Sequence, residues 1–195
     1  MRRIAVIGLG AASLALAACG QQGSDGAQGG AATQLADRIA IEDLIVSYYA
    51  HLGGRDAAGI PEFFTEDAVL DVNGIIMTGH EEILSLYDRG DAEPSTEPAE
   101  GDGGEQPTFH MLLSNPVIEV TGDTAKASFI WTGVMNSAIA EPPELAEQGR
   151  EYDTLVKRDG KWLITHRVII ADSGLPDMYL ETYTPRKDFR LDDLE

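Results

Sequence analysis

The stretch GREYDTLVKRDGKWLITHRVII, Gly149–Ile170, decides how the rest of the chain is read. Two runs rich in β-branched and aromatic residues flank Asp159-Gly160, a dipeptide suited to a two-residue type I′ turn because both positions tolerate positive φ. Pairing Arg158 with Lys161 then sets a register by the period of two: Lys157 with Trp162, Leu155 with Ile164, Asp153 with His166, Glu151 with Val168. These pairs share one face. It is apolar near the turn and gains an opposed Asp and His further away. The other face carries Arg158, Thr154, Thr165 and Arg167, with Val156 and Leu163 as its aliphatic pair. The hairpin is therefore expected to aim Asp153 and His166 inward.

Upstream, Met1-Arg2-Arg3 is a basic start and Ile4 to Ala15 an apolar run too short to span a bilayer. Leu16-Ala17-Ala18-Cys19 follows, with small residues before the cysteine. This segment resembles a bacterial lipoprotein signal with its lipobox. The resemblance implies a signal peptide over 1–18, lipidation of Cys19, and an envelope location in the outer membrane facing the periplasm, Gly20, rather than Asp, at the next position favouring the outer membrane over inner-membrane retention. Cys19 is the single cysteine, so no intramolecular disulfide can form. A formal charge of -19 argues against nucleic acid and anionic lipid headgroups as partners, leaving lipidated Cys19 as the expected membrane contact.

Residues 19–34, rich in Gly, Ala, Gln and Ser, have the composition of a flexible tether. From Leu35 to Leu52 apolar residues recur near helical spacing, with Leu35, Ile39, Ile41, Leu44, Ile45 and Tyr48 forming the expected inner stripe. Gly53-Gly54 ends that helix. A second helix follows Asp56 with Ile60, Phe63 and Phe64, Pro61 lying in its first turns. Ala68–Val72 reads as a short strand, and Thr78-Gly79-His80-Glu81 as a capping box opening a third helix with Ile83, Leu84 and Tyr87 buried. Residues 88–107, dense in Asp, Glu, Gly and Pro, read as a disordered acidic insertion. Their spacing lacks the pattern of a calcium loop, and no metal site is expected.

Order returns at Phe109–Val120, where Asn115-Pro116 predicts a bulge or bend. Gly122-Asp123 turns the chain into Thr124–Asn136, which alternates Ala125, Ala127, Phe129, Trp131 and Met135 onto one face. Glu141–Gln148 reads as an excursion before the hairpin, and 171–195 as an acidic tail, either a short helix or a strap. The expected fold is α+β: a cone-shaped barrel made by a strongly curved, mostly antiparallel sheet around three N-terminal helices, spanning 35–170 and enclosing one apolar cavity.

The runs YYAHLGGRDAAGIPEFFTEDAVLD, TGHEEI, FHMLLSNPVIEVTGDTAKASF and YDTLVKRDGKWLITHR together resemble the SnoaL-like branch of the nuclear transport factor 2-like superfamily, which includes scytalone dehydratase and ketosteroid isomerase. The resemblance places His110 at a catalytic histidine of scytalone dehydratase and Tyr48 at the oxyanion-hole tyrosine of ketosteroid isomerase. It also departs from both. The dehydratase's orienting carboxylate falls at Gly53 and its second histidine near Met135, while the isomerase's base falls near Val72.

The expected site therefore gathers Tyr48, His110, Asp153 and His166, with Tyr49, Phe129, Trp131, Met135, Glu151, Leu155, Trp162 and Ile164 lining the pocket. A carboxylate beside an imidazole fixes its tautomer and raises its basicity, and a phenol polarises a carbonyl oxygen. Such a set suits proton transfer without cofactor or metal on a small, mostly apolar carbonyl or hydroxy compound, the work of a lyase or isomerase. Two alternatives use the same fold: a non-catalytic pocket for an apolar ligand, and a module whose open sheet face pairs in a homodimer, as the resemblance implies. The Asp153–His166 pair is equally suited to being a structural clamp.

Overall fold

The computed structural model describes residues 24–52, 57–87, 107–175, 177–181 and 183–194. The expected signal peptide, Cys19 and nearly all of the acidic insertion lie outside them. Helix α1 spans Ser24–Leu52, so helix occupies much of the stretch expected to be a tether; Ala27, Gln28, Ala31 and Ala32 are compatible with it. Its inner face buries Ile41, Ile45, Tyr48 and Tyr49, whereas Leu35 and Ile39, expected inside, are exposed. Asp37 takes an inner position instead. Its carboxylate accepts from Lys157 Nζ at 2.5 Å and from the Trp162 indole N–H at 3.1 Å, tying α1 to the hairpin. The Lys157 contact holds the Asp37 carboxyl below its ordinary value, against the upward push of burial.

The expected second helix is a 3-10 turn, Ala57–Phe63, containing Pro61, and the chain passes directly into strand β1, Phe64–Val72. A strand absent from the sequence reading follows: β2, Ile75–Thr78, joined to β1 through Asn73-Gly74 with φ of 55° and 93°. This is the I′ pattern again. Helix α2 spans Gly79–Tyr87 and is entered as predicted, although the carboxylate reaching back to the Thr78 N–H belongs to Glu82, at 2.8 Å, and not to Glu81. Two α-helices and one 3-10 turn thus stand where three helices were expected.

Four long strands complete the sheet: β3 Thr108–Thr121, β4 Thr124–Asn136, β5 Glu144–Arg158 and β6 Lys161–Ser173. Their order is β2-β1-β6-β5-β4-β3, antiparallel except where β1 runs parallel to β6. Register shifts interrupt β3–β4 between Ser114 and Val117, β4–β5 at Gly133/Val134, and β5–β6 in two places. Each shift bends and twists the ladder, which curves the sheet around the helices. Phe64, Leu70, Ala127, Phe129, Leu155, Trp162 and Ile164 form its buried inner layer with α1 and α2.

The acidic tail is a strap. Tyr183, Phe189, Leu191 and Leu194 pack on Tyr152, Val168 and Ile170 across the outer face of β5 and β6. Arg186 pairs with Asp71 at 2.7 Å, and Lys126 Nζ donates to the Leu194 carbonyl at 2.9 Å. The tail thereby covers part of the outer face of the sheet.

Candidate functional site

The hairpin turn forms as read, with Asp159 and Gly160 at φ of 51° and 79° and Leu155 opposite Ile164. One step further the reading fails. Thr154 pairs with His166, leaving Thr165 as the extra residue of a bulge, and Asp153 faces Arg167. The Thr154 and Thr165 hydroxyls lie 2.7 Å apart, and Thr165 also donates to the Thr154 carbonyl at 3.0 Å, which satisfies the side chains at the bulge. A single inserted residue exchanges the faces of everything beyond it. His166 is therefore turned to the outer side, half-buried, where burial lowers its pKa against the opposing fields of Asp71 and Asp153. The expected Asp153–His166 pair does not exist.

Arg167 takes the inward place. It is fully buried, with Nε 2.8 Å from Asp153 Oδ1 and Nη2 3.1 Å from Glu151 Oε1, both carboxylates also at 0% exposure. Its guanidinium lies 4.0 Å from the centre of the Tyr48 ring. Burial alone would lower its pKa, but Asp153 and Glu151 outweigh that and hold the cation firmly charged. Burial pushes the Glu151 carboxyl well up, and Asp153 adds to the shift while Arg167 opposes it. One cation thus faces two dry carboxylates, and at Glu151 the cost of burial outweighs the attraction of Arg167. The angles at Glu151 Oε1 miss those of a hydrogen bond despite the ionic contact. Tyr49 donates its hydroxyl to Glu151 Oε2, and the hydroxyls of Tyr48 and Tyr87 are bonded to each other. Burial raises all three phenols, so they are neutral.

Beyond this network, away from the turn, lies a cavity of about 270 Å³. Val72, Leu86, Met111 and Ile169 supply apolar wall, and Tyr49, Tyr87, Trp131, Asn73, Glu147, Ala171 and Tyr179 complete the lining. Its size is at the small end for ligand sites, and its mostly apolar lining with a few polar groups is what such sites have. Glu147 stands on β5 opposite Gly133 of β4. A Cβ at Gly133 would come within 2.6 Å of Glu147 Cγ and 2.5 Å of Phe109 Cζ, so glycine there makes room for the acid. Among the described residues no side chain pairs with the Glu147 carboxyl, and burial raises its pKa.

Of the residues expected at the site, Tyr49 and Trp131 line the cavity. Tyr48 and Glu151 lie one layer behind it, and Asp153 is spent on Arg167. Phe129, Leu155, Trp162 and Ile164 belong to the solid core near the turn, and Met135 lies toward the end of β4, opposite Phe109 and Glu144. His110 is on the outer face of β3 and exposed, because Met111 and Leu113 pack on the core and the Phe109 ring lies near Gly133. The sequence reading missed Arg167, Glu147, Tyr87, Met111 and Tyr179 as site groups. Glu147 carried a signal: it keeps the alternation of Asp153 and Glu151 once β5 is extended before Gly149. No group of three or more metal-ligating side chains converges among the described residues.

Residues 33–168 match the family model described as a SnoaL-like domain. No curated protein matches the sequence. Among solved structures, a candidate scytalone dehydratase from Novosphingobium aromaticivorans shares 19% identity over 82% of this chain and 99% of its own, with a TM-score of 0.57. A protein of unknown function with a cystatin-like fold from Nostoc punctiforme shares 24% over 72% of this chain and 94% of its own, at 0.56. One of unknown function from Mycobacterium tuberculosis shares 23%, covering 73% of this chain and 75% of its own, also at 0.56. At these identities the likeness is one of fold: the curved sheet and helices are the cone of nuclear transport factor 2-like proteins.

Proposed function

Because this chain belongs to the SnoaL-like domain family, we propose that its cavity takes a small, mostly apolar carbonyl or hydroxy compound and moves a proton on it, with Glu147 as the acid–base group. The observation that carries this reading is the Glu147 carboxyl itself, half-buried in an apolar wall, raised by that burial and without a cation among the described residues. Desolvation brings a carboxyl toward the range where it both takes and returns protons near neutral pH.

In an isomerisation, the Glu147 carboxylate takes the proton from the carbon next to a carbonyl, the C–H electron pair becomes an enolate, and the carboxylic acid returns the proton to a second carbon. In a dehydration of a β-hydroxy carbonyl compound, the carboxylate takes the same kind of proton, the resulting acid gives it to the departing hydroxyl, and the enolate electrons form the C=C bond as the C–O bond breaks and water leaves. Both cycles regenerate the carboxylate.

The test is deuterium uptake next to the carbonyl of 2-tetralone in D2O, followed by NMR. Wild-type protein accelerates it above the buffer rate and Glu147→Gln does not. Equal rates for the two proteins contradict the proposal. A binding-only role is the second reading, and it draws on the phenols: the hydroxyls of Tyr49 and Tyr87 are each already engaged with a buried neighbour. It predicts saturable binding of 2-tetralone with no protein-dependent exchange.

The same proposal includes anchoring through lipid on Cys19 to the bacterial envelope, in the outer membrane and facing the periplasm, on the strength of the signal-like first eighteen residues. Metabolic labelling with a palmitate analogue in a bacterial host should mark the wild-type protein and spare Cys19→Ser. Label on both contradicts it.

A further inference from the structure

The residues that line the cavity belong to the shell of sheet and helices, with one exception. Tyr179 comes from the tail, where it ends the 3-10 turn Asp177–Tyr179. Its side chain is buried, at 8% exposure, while Asp177, Leu180 and Glu181 around it are exposed. The tail thus turns this ring inward and leaves its neighbours in water. The root of the tail is pinned next to the acid: a Cβ at Gly174, whose φ is 69°, would come 2.1 Å from the Ala146 carbonyl oxygen and 2.6 Å from Glu147 Cα.

The tail is docked without joining the sheet. Among the described residues, its backbone N–H groups bond within the tail, Tyr183 to the Tyr179 carbonyl at 2.9 Å and Phe189 to that of Arg186 at 3.2 Å. Its links to the sheet run through side chains. Arg150 of β5 donates to the carbonyls of Arg186, Lys187 and Phe189 at 3.2, 3.4 and 3.4 Å, and Tyr152 donates to that of Phe189 at 3.0 Å. Tyr183 donates its hydroxyl to the carbonyl of Ala171, a cavity residue, and Arg186 holds both oxygens of Asp71 at 2.7 and 3.1 Å. A segment fastened in this way can lift while the ladder behind it stays intact, and segments of low local stability are the ones that open for ligands.

Resting on the reading of this cavity as a ligand site, we infer that the tail is its gate: a small ligand enters and leaves when the tail lifts, and Tyr179 is the residue that shuts it in. The other walls are strands and helices that also carry the core, so moving them would open the core as well. Arg186 and Asp71 are positioning residues. Neither lines the cavity, and they hold Tyr179 in place through the tail. Their side chains are 26% and 12% exposed, so the latch is an ion pair that water reaches and that is readily released. Loosening it changes how fast a ligand exchanges and leaves the affinity nearly as it was, because the latch touches no ligand and the docked tail is the resting state of both forms.

The experiment mixes 2-tetralone with the full-length protein and follows the quenching of tryptophan fluorescence by stopped flow, Trp131 reporting from the cavity wall. Wild type, Arg186→Met and Tyr179→Ala are compared, and trypsin cleavage after Lys187 and Arg190 reports how firmly the tail is docked. Arg186→Met should be cut faster and should raise the association and dissociation rates together, about fivefold, with Kd within about twofold of wild type. Tyr179→Ala, which leaves the latch in place, should raise the dissociation rate by at least as much. Arg186→Met rates that stay at the wild-type values although its tail is cut faster overturn the inference and leave the ligand cavity standing. So does an unchanged dissociation rate in Tyr179→Ala. A weaker Kd in Arg186→Met at an unchanged association rate also overturns it, since the tail would then be a fixed wall. No saturable quenching in any of the three proteins overturns the gate and the ligand cavity together.

Discussion

Asp153 and Glu151 on one side, and Glu147 on the other, occupy the same face of the same strand yet meet opposite surroundings. The first two are sealed at 0% exposure around one guanidinium, which also lies over the Tyr48 ring. Glu147 sits at the cavity wall with burial but no cation among the described residues. The difference lies in what the facing strand supplies. Opposite Asp153 the Thr165 bulge delivers Arg167, whereas opposite Glu147 the sheet supplies Gly133, which offers space in place of charge. Acids that share a dry cation are committed to holding the fold. An acid given room and an apolar wall is available for chemistry.

The largest effect should come from breaking the committed side. Arg167→Met leaves two carboxylates in a dry interior and should cost about 3–5 kcal/mol of unfolding free energy, measured by urea titration. A loss under about 1 kcal/mol would mean that the triad is not sealed. Next is the available side: Glu147→Gln should slow proton exchange on 2-tetralone about a hundredfold or more while leaving the urea midpoint nearly unchanged. A large stability loss there would place Glu147 among the structural acids.

Gly149→Ala tests the wall between them. The added methyl meets the Ile170 carbonyl oxygen at 2.2 Å as well as the Trp131 ring, so about 1–3 kcal/mol of stability should be lost, with changed tryptophan fluorescence. The smallest effect is in the pH dependence. Glu151 has a folded-state pKa raised above its ordinary 4.5, so the folded protein keeps a proton that the unfolded chain has released. Stability contributed by this group falls as pH rises from 4.5 toward the folded value. Glu151→Gln should flatten that slope in urea melts at stepped pH. Asp37, lowered below its ordinary 3.8, acts in the other direction, and its contribution is lost as pH falls through its folded value.

Much of the architecture was legible because it rests on short-range rules. Asp159-Gly160 fixed a turn, alternation fixed the inner face of β4, and Thr78 announced α2. Asn73-Gly74 carried the same kind of signal, but β2 is only four residues long and was passed over. The site was less legible, and the reason is parity. Nothing in ITHR distinguishes a bulged Thr165 from a regular one, yet that residue decides whether His166 or Arg167 faces Asp153. His110 was assigned by resemblance, although its alternating neighbours Phe109, Met111 and Leu113 already placed the apolar face on odd positions. Glu147 was lost when Glu141–Gln148 was read as an excursion, because Pro142 and Pro143 obscured a strand that begins at Glu144.

The central claim is that Glu147 is an uncommitted, desolvated acid inside a ligand cavity. Carbon-13 NMR of the side-chain carboxyls of labelled glutamates, titrated in pH with and without 2-tetralone, tests it most directly. The Glu147 signal, assigned by Glu147→Gln, should titrate with a midpoint above 4.5 that moves when the ketone is added. A midpoint at or below 4.5, unmoved by the ketone, would contradict the account.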